Sequence, residues 1–204
     1  MRRLVIETAT AHCSVALIDG AEVIDEANVV VGRGHAERLV PMIAALPERG
    51  RADAILVGCG PGSFTGIRVG LAAARALGLA WGVPVSGYST MALLAASGAQ
   101  EDDGDDVAVA LTGGHGEIFL QSFTRDPLAA HGALVSLPPA DAAARTAQHL
   151  VIGSGASALV ESRGWGEARE VLPFAAGARR LPVGFAALPP DPIYGRAPDA
   201  RPPA

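Results

Sequence analysis

Arg3-Leu-Val-Ile-Glu-Thr8, His12-Cys-Ser-Val-Ala-Leu-Ile-Asp19 and Glu22-Val-Ile-Asp-Glu-Ala-Asn-Val-Val-Val31 follow one another at the head of the chain. Cys13, Val15 and Leu17 alternate along the second stretch, the period of a strand. Asp19-Gly20 is a hairpin turn signal. Three strands therefore come before any helix, whereas a plain doubly wound fold alternates strand and helix from its first residues. Gly32-Arg33-Gly34 breaks the pattern. His35–Leu46 then has helical spacing, with Leu39, Met42, Ile43 and Leu46 on one stripe; Pro41 inside it kinks the helix or delays its start. Ala54–Cys59 reads as a buried strand, Gly60–Thr65 as a tight loop, Gly66–Trp81 as a helix and Val83–Ser86 as a strand. Ser89 caps a helix running to about Ala96.

The segment Ser97–Asp106 carries Glu101, Asp102, Asp103, Asp105 and Asp106, a solvated loop without the spacing or glycine of an EF-hand. A second unit follows. Val107–Leu111 and Glu117–Phe123 are strands joined across Thr112–Gly116, Ala140–Gln148 is helical, and the strand Leu150–Ile152 runs into Gly153-Ser154-Gly155 and a short helix. Two units that each open on a hairpin predict a duplicated α/β arrangement. Its parts are an N-terminal lobe at 1–98, an acidic linker at 99–106, a smaller C-terminal lobe at 107–188 and a tail at 189–204. The tail has six prolines in sixteen residues and reads as extended or disordered.

Half of the 204 residues are hydrophobic but only 4% are aromatic, and 40 are alanine and 25 glycine. The core must be built from small aliphatic side chains packed closely. All 16 basic residues are arginine, which excludes a Walker A lysine, a Schiff-base lysine and a kinase-type lysine. A net charge of −5 makes a poor nucleic-acid binder unaided, because phosphate contacts need clustered positive charge. Cys13 and Cys59 are too few for a disulfide framework and fit reduced cytosolic thiols. The apolar run Leu4-Val5-Ile6 is too short for a signal-peptide core. No uninterrupted apolar stretch approaches the ~20 residues of a membrane span, so a soluble, cytoplasmic protein is expected.

The densest chemical signal is Gly58-Cys-Gly60-Pro61-Gly62-Ser63-Phe64-Thr65-Gly66-Ile-Arg68-Val-Gly70, between a buried strand and a helix. Ser63 or Thr65 can cap the helix start, and a helix N-terminus suits an anion. It is not a P-loop, for want of lysine, nor a Rossmann loop, whose last glycine falls on Ser63 or Thr65. Pro61 also removes one N–H from any cradle. In the helix that follows, Gly66, Gly70, Ala74 and Gly78 recur every four residues, a stripe that lets another helix approach closely. Glycines in a helix cost roughly 1 kcal/mol each relative to alanine, so the stripe asks for a compensating contact. The expectation is contact with another subunit, with Arg68 and Arg75 on one face.

These residues resemble the TsaB (YeaZ) family. Gly60-Pro-Gly-Ser-Phe-Thr-Gly-Ile-Arg-Val-Gly70 is close to its signature. Met1–Ser14, Gly34-His35 through Pro41-Met42, Gly116-Glu117-Ile118-Phe119, and Asp191-Pro192-Ile193-Tyr194 with Arg196 match its other segments; from 124 to 188 the likeness is loose. The resemblance implies an actin/Hsp70-like two-lobe (ASKHA) fold of duplicated ribonuclease-H-like units with the second reduced. It further implies a non-catalytic subunit that pairs with a TsaD-like threonylcarbamoyltransferase and is joined by a TsaE-like ATPase. The product is threonylcarbamoyladenosine at the tRNA adenosine 3′ of the anticodon, and a homodimer forms when TsaD is absent. The expected partner interface is His35, Leu39, Met42, Gly66, Arg68, Gly70, Ala74 and Gly78.

Several positions depart from active relatives. His35 has Leu39 four residues on, which breaks the paired histidines that hold metal in TsaD-like proteins. His12, His35, His115, His131 and His149 show no close ligand spacing and are expected at the surface or locally bonded. Glu7 stands where a metal-arranging Asp is more usual, and Thr112 and Gly114 where Asp and Arg are. No required cofactor, metal or catalytic residue is expected. What remains is weak ATP or ADP binding between the lobes at Thr8, Thr10, Ser14, Gly153 and Gly155. The alternative readings are an ATPase or kinase of the same fold acting alone, a two-lobe structural protein with another partner, and a glycoprotease. The last lacks a zinc-ligand set, and Ser63 lacks an evident histidine partner.

Overall fold

A computed structural model describes residues 1–98 and 104–195. The first unit is β1 (Arg2–Glu7), β2 (His12–Asp19), β3 (Glu22–Val30), α1 (His35–Ala45), β4 (Ala54–Gly58), α2 (Phe64–Trp81), β5 (Val85–Tyr88) and α3 (Thr90–Ser97). The second is β6 (Asp106–Thr112), β7 (Ile118–Arg125), β8 (Leu128–Leu137), α4 (Pro139–Ala144), β9 (Leu150–Ile152), α5 (Ala156–Arg163) and β10 (Glu167–Arg169). The two sheets have the same plan. Their orders are β3-β2-β1-β4-β5 and β8-β7-β6-β9-β10. In each, the first three strands are antiparallel and the last two join in parallel. The duplication expected from two hairpin-led units is thus present, and more complete than the sequence suggested.

Strand alternation sets the layers. Leu4 and Ile6 of β1 pack outward with Val15, Leu17, Ile55 and Val57 beneath α1 and α2. Val5, Ala16, Ile18 and Leu56 point inward, where they meet Val107, Val109 and Phe123 of the second sheet around α3. Thr90 through Ala95 are all buried, as a helix enclosed between two sheets must be. Behind the second sheet, Ala108, Ala110 and Val151 pack on Ala142 of α4 and Leu159 of α5.

α1 runs through Pro41 and buries His35, Leu39 and Ile43. α2 starts at Phe64, two residues before the glycine expected to begin it, because Ser63 caps it by accepting a hydrogen bond from the Gly66 N–H. β8 and β10 were not expected, and the helix read over Ala140–Gln148 shortens to α4. Most of the acidic linker, 99–103, and the end of the tail, 196–204 with Arg196, lie outside the described residues. The nearer tail is extended and bound. Leu188 and Gly87 exchange backbone hydrogen bonds, the Ile193 N–H donates to the Cys59 carbonyl, and Ile193 packs on the first core. No described helix is long and apolar enough to cross a membrane.

Candidate functional site

The signature loop is built around the end of β1. The Ser63 N–H donates to the Ala9 carbonyl, and the Thr90 N–H to that of Gly60. Gly62 has φ 154°, and a side chain there would run into the Ala9 carbonyl, so only glycine fits. Loop 60–65 thereby fixes where α2 begins. Its first turns lie directly on β1, where the Thr8 hydroxyl donates to the Gly66 carbonyl at 2.8 Å.

That contact overturns the expected partner interface. Gly66, Gly70, Ala74 and Gly78 are buried against the chain's own first sheet. A methyl on Gly66 would meet the Thr8 carbonyl, one on Gly70 the Thr8 hydroxyl, and one on Gly78 the Val85 side chain. Spacing alone does not tell helix-on-helix from helix-on-strand contact, and here the close neighbour is a strand. His35 and Leu39 are buried as well, and Met42 packs on the first core. Arg68 is exposed, but it lies over the Phe64 ring at 3.7 Å and donates to the Tyr194 hydroxyl. The outward face of the pair is different, with small and apolar side chains exposed beside the charged Glu37 and Arg75. It presents Ala36, Val40 and Ala44 of α1 with Ala72, Ala76, Leu79 and Ala80 of α2; Val40 is 60% exposed and Leu79 87%.

The second feature is a cleft of about 910 Å³ between the two sheets. Ala9, Thr10, Ala11 and His12 form one wall with Gly62, Ser63 and Phe64. Leu111 through Gly114, Ser154, Glu170 and Leu172 form the other, and Val30 closes the side. Of the residues read as nucleotide contacts, Thr10 lines the cleft, and Gly153 and Gly155 flank the lining Ser154. Thr8 and Ser14 are not in the cleft. Thr8 is committed to α2, and the buried Ser14 hydroxyl donates to Asn28 Oδ1 and accepts from the Ala175 N–H.

Glu7 is also withdrawn from the cleft. It is fully buried, with Oε1 accepting from the Ala9 N–H at 2.7 Å and Oε2 from the Thr90 hydroxyl at 2.9 Å. Burial raises its pKa to about 7 against those hydrogen bonds. Thr112 is tied to Ser154: its N–H donates to the Ser154 hydroxyl and its hydroxyl to the Ser154 carbonyl. Ser63 spends its hydroxyl oxygen on the helix cap. Among the described residues no three His, Cys, Asp or Glu side chains gather as metal ligands do.

Two residues of the cleft were not read from sequence. His12, expected at the surface or locally bonded, is 2% exposed because the whole face of β2 is covered, and its Nδ1 finds no hydrogen-bond partner among the described residues. His35 is similarly buried with Nε2 unpartnered, whereas His115, His131 and His149 are exposed. Glu170, just after β10, is the one charged side chain among the described lining residues of the cleft. Its signal was unreadable because β10 itself was.

Two five-stranded sheets of identical order, with α3 enclosed between them, the other helices on their outer faces and a cleft at one side, define a two-lobe protein of the actin/Hsp70-like (ASKHA) class. The family model described as "TsaD: tRNA N6-adenosine threonylcarbamoyltransferase" matches residues 29–161, more than half of the chain. TsaB of Escherichia coli is 34% identical over 131 residues, 62% of this chain and 56% of that protein. TsaB of Haemophilus influenzae is 32% identical over 128 residues, 60% and 54% respectively. The solved YeaZ of Pseudomonas aeruginosa superposes with TM-score 0.78 at 28% identity, covering 95% of this chain and all of that one. EutJ of Carboxydothermus hydrogenoformans, 13% identical with TM-score 0.52, shares the fold alone. The chain belongs to the family that this model describes, on its TsaB (YeaZ) branch. The aligned region spans about half the length of the curated relatives it matches.

Proposed function

We propose that this chain is a non-catalytic, activating subunit of the machinery that forms threonylcarbamoyladenosine on tRNA, and that it works by docking a TsaD-type subunit. The likeness to TsaB proteins supports the process. The observation that carries the mode of action is the outward face of α1 and α2, where apolar side chains stand exposed in two adjacent helices. Exposed apolar patches of this kind mark protein interaction sites, and small alanines along α2 allow a partner helix to pack closely. Arg68 and Phe64 lie at one end of this face. A TsaE-like ATPase joins the pair, tRNA is met through the complex, and the chain self-associates through the same face when its partner is absent. A cytoplasmic location follows from the tRNA substrate.

The alternative of an ATPase or kinase acting alone draws no support from a cleft with no basic residue among its described lining and with Glu7 buried elsewhere. The experiment is size-exclusion chromatography with the TsaD-type protein from the same genome. Ala76→Arg and Leu79→Glu are expected to abolish co-elution with no change in melting temperature, because neither side chain is buried. Undiminished co-elution of both variants would remove this face from the reading.

A further inference from the structure

We infer that Phe64, Arg68 and Tyr194 form a preset anchor that takes an Asp or Glu side chain of the docking subunit. The inference rests on the docking role proposed above and names the chemistry that one end of that face selects.

Phe64 and Arg68 stand one turn apart at the head of α2, and the four-residue row they begin continues through Ala72, Ala76 and Ala80. All five positions are exposed, so two large side chains stand at the end of a row of small ones. A helix that packs along the alanines meets Arg68 where they stop. The third member comes from far off in sequence. Tyr194 is brought beside the other two by the returning chain, which is held by the Ile193 N–H on the Cys59 carbonyl and by Asp191 on Arg75. Its ring stacks on Phe64, and its hydroxyl accepts from Arg68 Nη2 at 3.1 Å. The guanidinium carbon lies 3.7 Å from the centre of the Phe64 ring. A long exposed side chain is thus fixed by two contacts before any partner arrives, which lowers the entropy lost on binding.

Charge decides what the anchor takes. Arg68 and Arg75 are seven residues apart, about two turns of α2. The charge of Arg75 is met inside the chain by Asp191 at 2.6 Å. Among the described residues no carboxylate lies within ion-pair distance of Arg68; its partners are a neutral hydroxyl and a ring face. A guanidinium has five N–H donors, and Tyr194 uses one. The others suit a carboxylate, which accepts two of them side by side. Phe64 and Tyr194, 55% and 52% exposed, add apolar surface around the charge, and aromatic residues with arginine are the types that dominate interface energetics. RNA phosphate is the rival anion. A backbone of phosphates calls for several free cations together, and the next arginine along this helix is already paired.

The test is calorimetric titration of the whole chain with the TsaD-type protein from the same genome, with melting temperatures as the folding control. Arg68→Gln is expected to raise Kd by about tenfold, the loss of one charge-assisted hydrogen bond, and to flatten the rise of Kd with added salt. Tyr194→Phe keeps the ring stack and frees the guanidinium; it should raise Kd by about threefold, the cost of ordering one side chain on binding. Arg68→Glu should bind more weakly than Arg68→Gln, because like charges then meet, and one acidic-to-arginine change on the partner's surface should restore it. An unchanged Kd for Arg68→Gln, while Leu79→Glu abolishes binding, would overturn the anchor and leave the docking face in place. A wild-type chain that does not bind the TsaD-type protein would remove both. Weaker tRNA retention by the Arg68→Gln complex with its assembly unaffected would give Arg68 to an RNA phosphate and overturn the carboxylate, as would failure of every acidic-to-arginine change to rescue Arg68→Glu.

Discussion

Glu7 shows how far one residue departs from its sequence reading. Its place at the end of β1 suggested a remnant of a metal-arranging acid. Its carboxylate instead lies inside the protein, where a side chain at Gly58 would collide with it, bonded to Ala9 and Thr90. The folded-state pKa of about 7 exceeds the ordinary 4.5. Below pH 4.5 the group is protonated folded and unfolded, so it has no effect on stability. Between 4.5 and 7 the unfolded chain releases the proton while the folded chain holds it, and stability falls. Above pH 7 the loss is complete, at about 3 kcal/mol for a shift of this size. Glu7→Gln, uncharged and of the same shape, should match the wild type in denaturant titrations at pH 4.5 and exceed it by about that amount at pH 8. Equal differences at the two pH values would show that the carboxyl does not titrate in this window. The sequence could place Glu7 on a strand; that the strand end points away from the cleft depends on the loop folded over it.

At the scale of the element, α2 is the instructive case. Its existence and length were legible from composition and cap, and so was its stripe of small residues. The direction of the stripe was not, because four-residue spacing satisfies helix and strand neighbours alike. The structure turns Gly66 and Gly70 onto Thr8 and leaves Ala72 and Ala76 in solvent. This fixes opposite outcomes for opposite substitutions. Gly66→Ala gains about 1 kcal/mol of helix propensity but drives a methyl into the Thr8 carbonyl, a backbone atom that cannot rotate away. The net should be a loss of about 2 kcal/mol, within the range for overpacking. Ala76→Gly should lose about 1 kcal/mol through propensity alone. Chemical denaturation of both variants tests the pair, and a stabilised Gly66→Ala would mean that α2 does not rest on β1. Other elements were illegible for a simpler reason. β8 contains Ala129, Ala130, Gly132 and Ala133, poor strand formers, and it is a strand because seven of its positions pair with β7. The three residues of β10 have no local signal and are held by β9.

At the scale of the whole molecule, two copies of one plan share the central core, and the chain after Leu188 ties back to the first copy. That return was not readable from a proline-rich composition, because its partners lie far off in sequence. Arg75 donates to the Pro190 carbonyl at 2.7 Å and pairs with Asp191 at 2.6 Å. Tyr194 stacks on Phe64 with ring centres 5.9 Å apart, and the carbonyl of Pro189 accepts from the Cys59 thiol. Gly195 then reaches the second sheet, where it lies close against Phe119 and Leu134. The exposed Arg75–Asp191 pair contributes little by itself, as surface ion pairs do. The segment's worth lies in what it covers: Ile193 seals the first core beside Cys59, which is fully buried, and burial pushes the thiol up to about 11. In the intact chain Cys59 should therefore resist Ellman's reagent under native conditions, since only an accessible thiolate reacts. Ending the chain at Leu188 opens the site above the thiol. One cysteine should then react, and mass mapping should identify it as Cys59, with Cys13 still protected beneath α1 and α2. A lower melting temperature should accompany the gain in reactivity. If both thiols stay protected and the melting temperature is unchanged, residues 189–195 are an appendage, and the first lobe is complete without them.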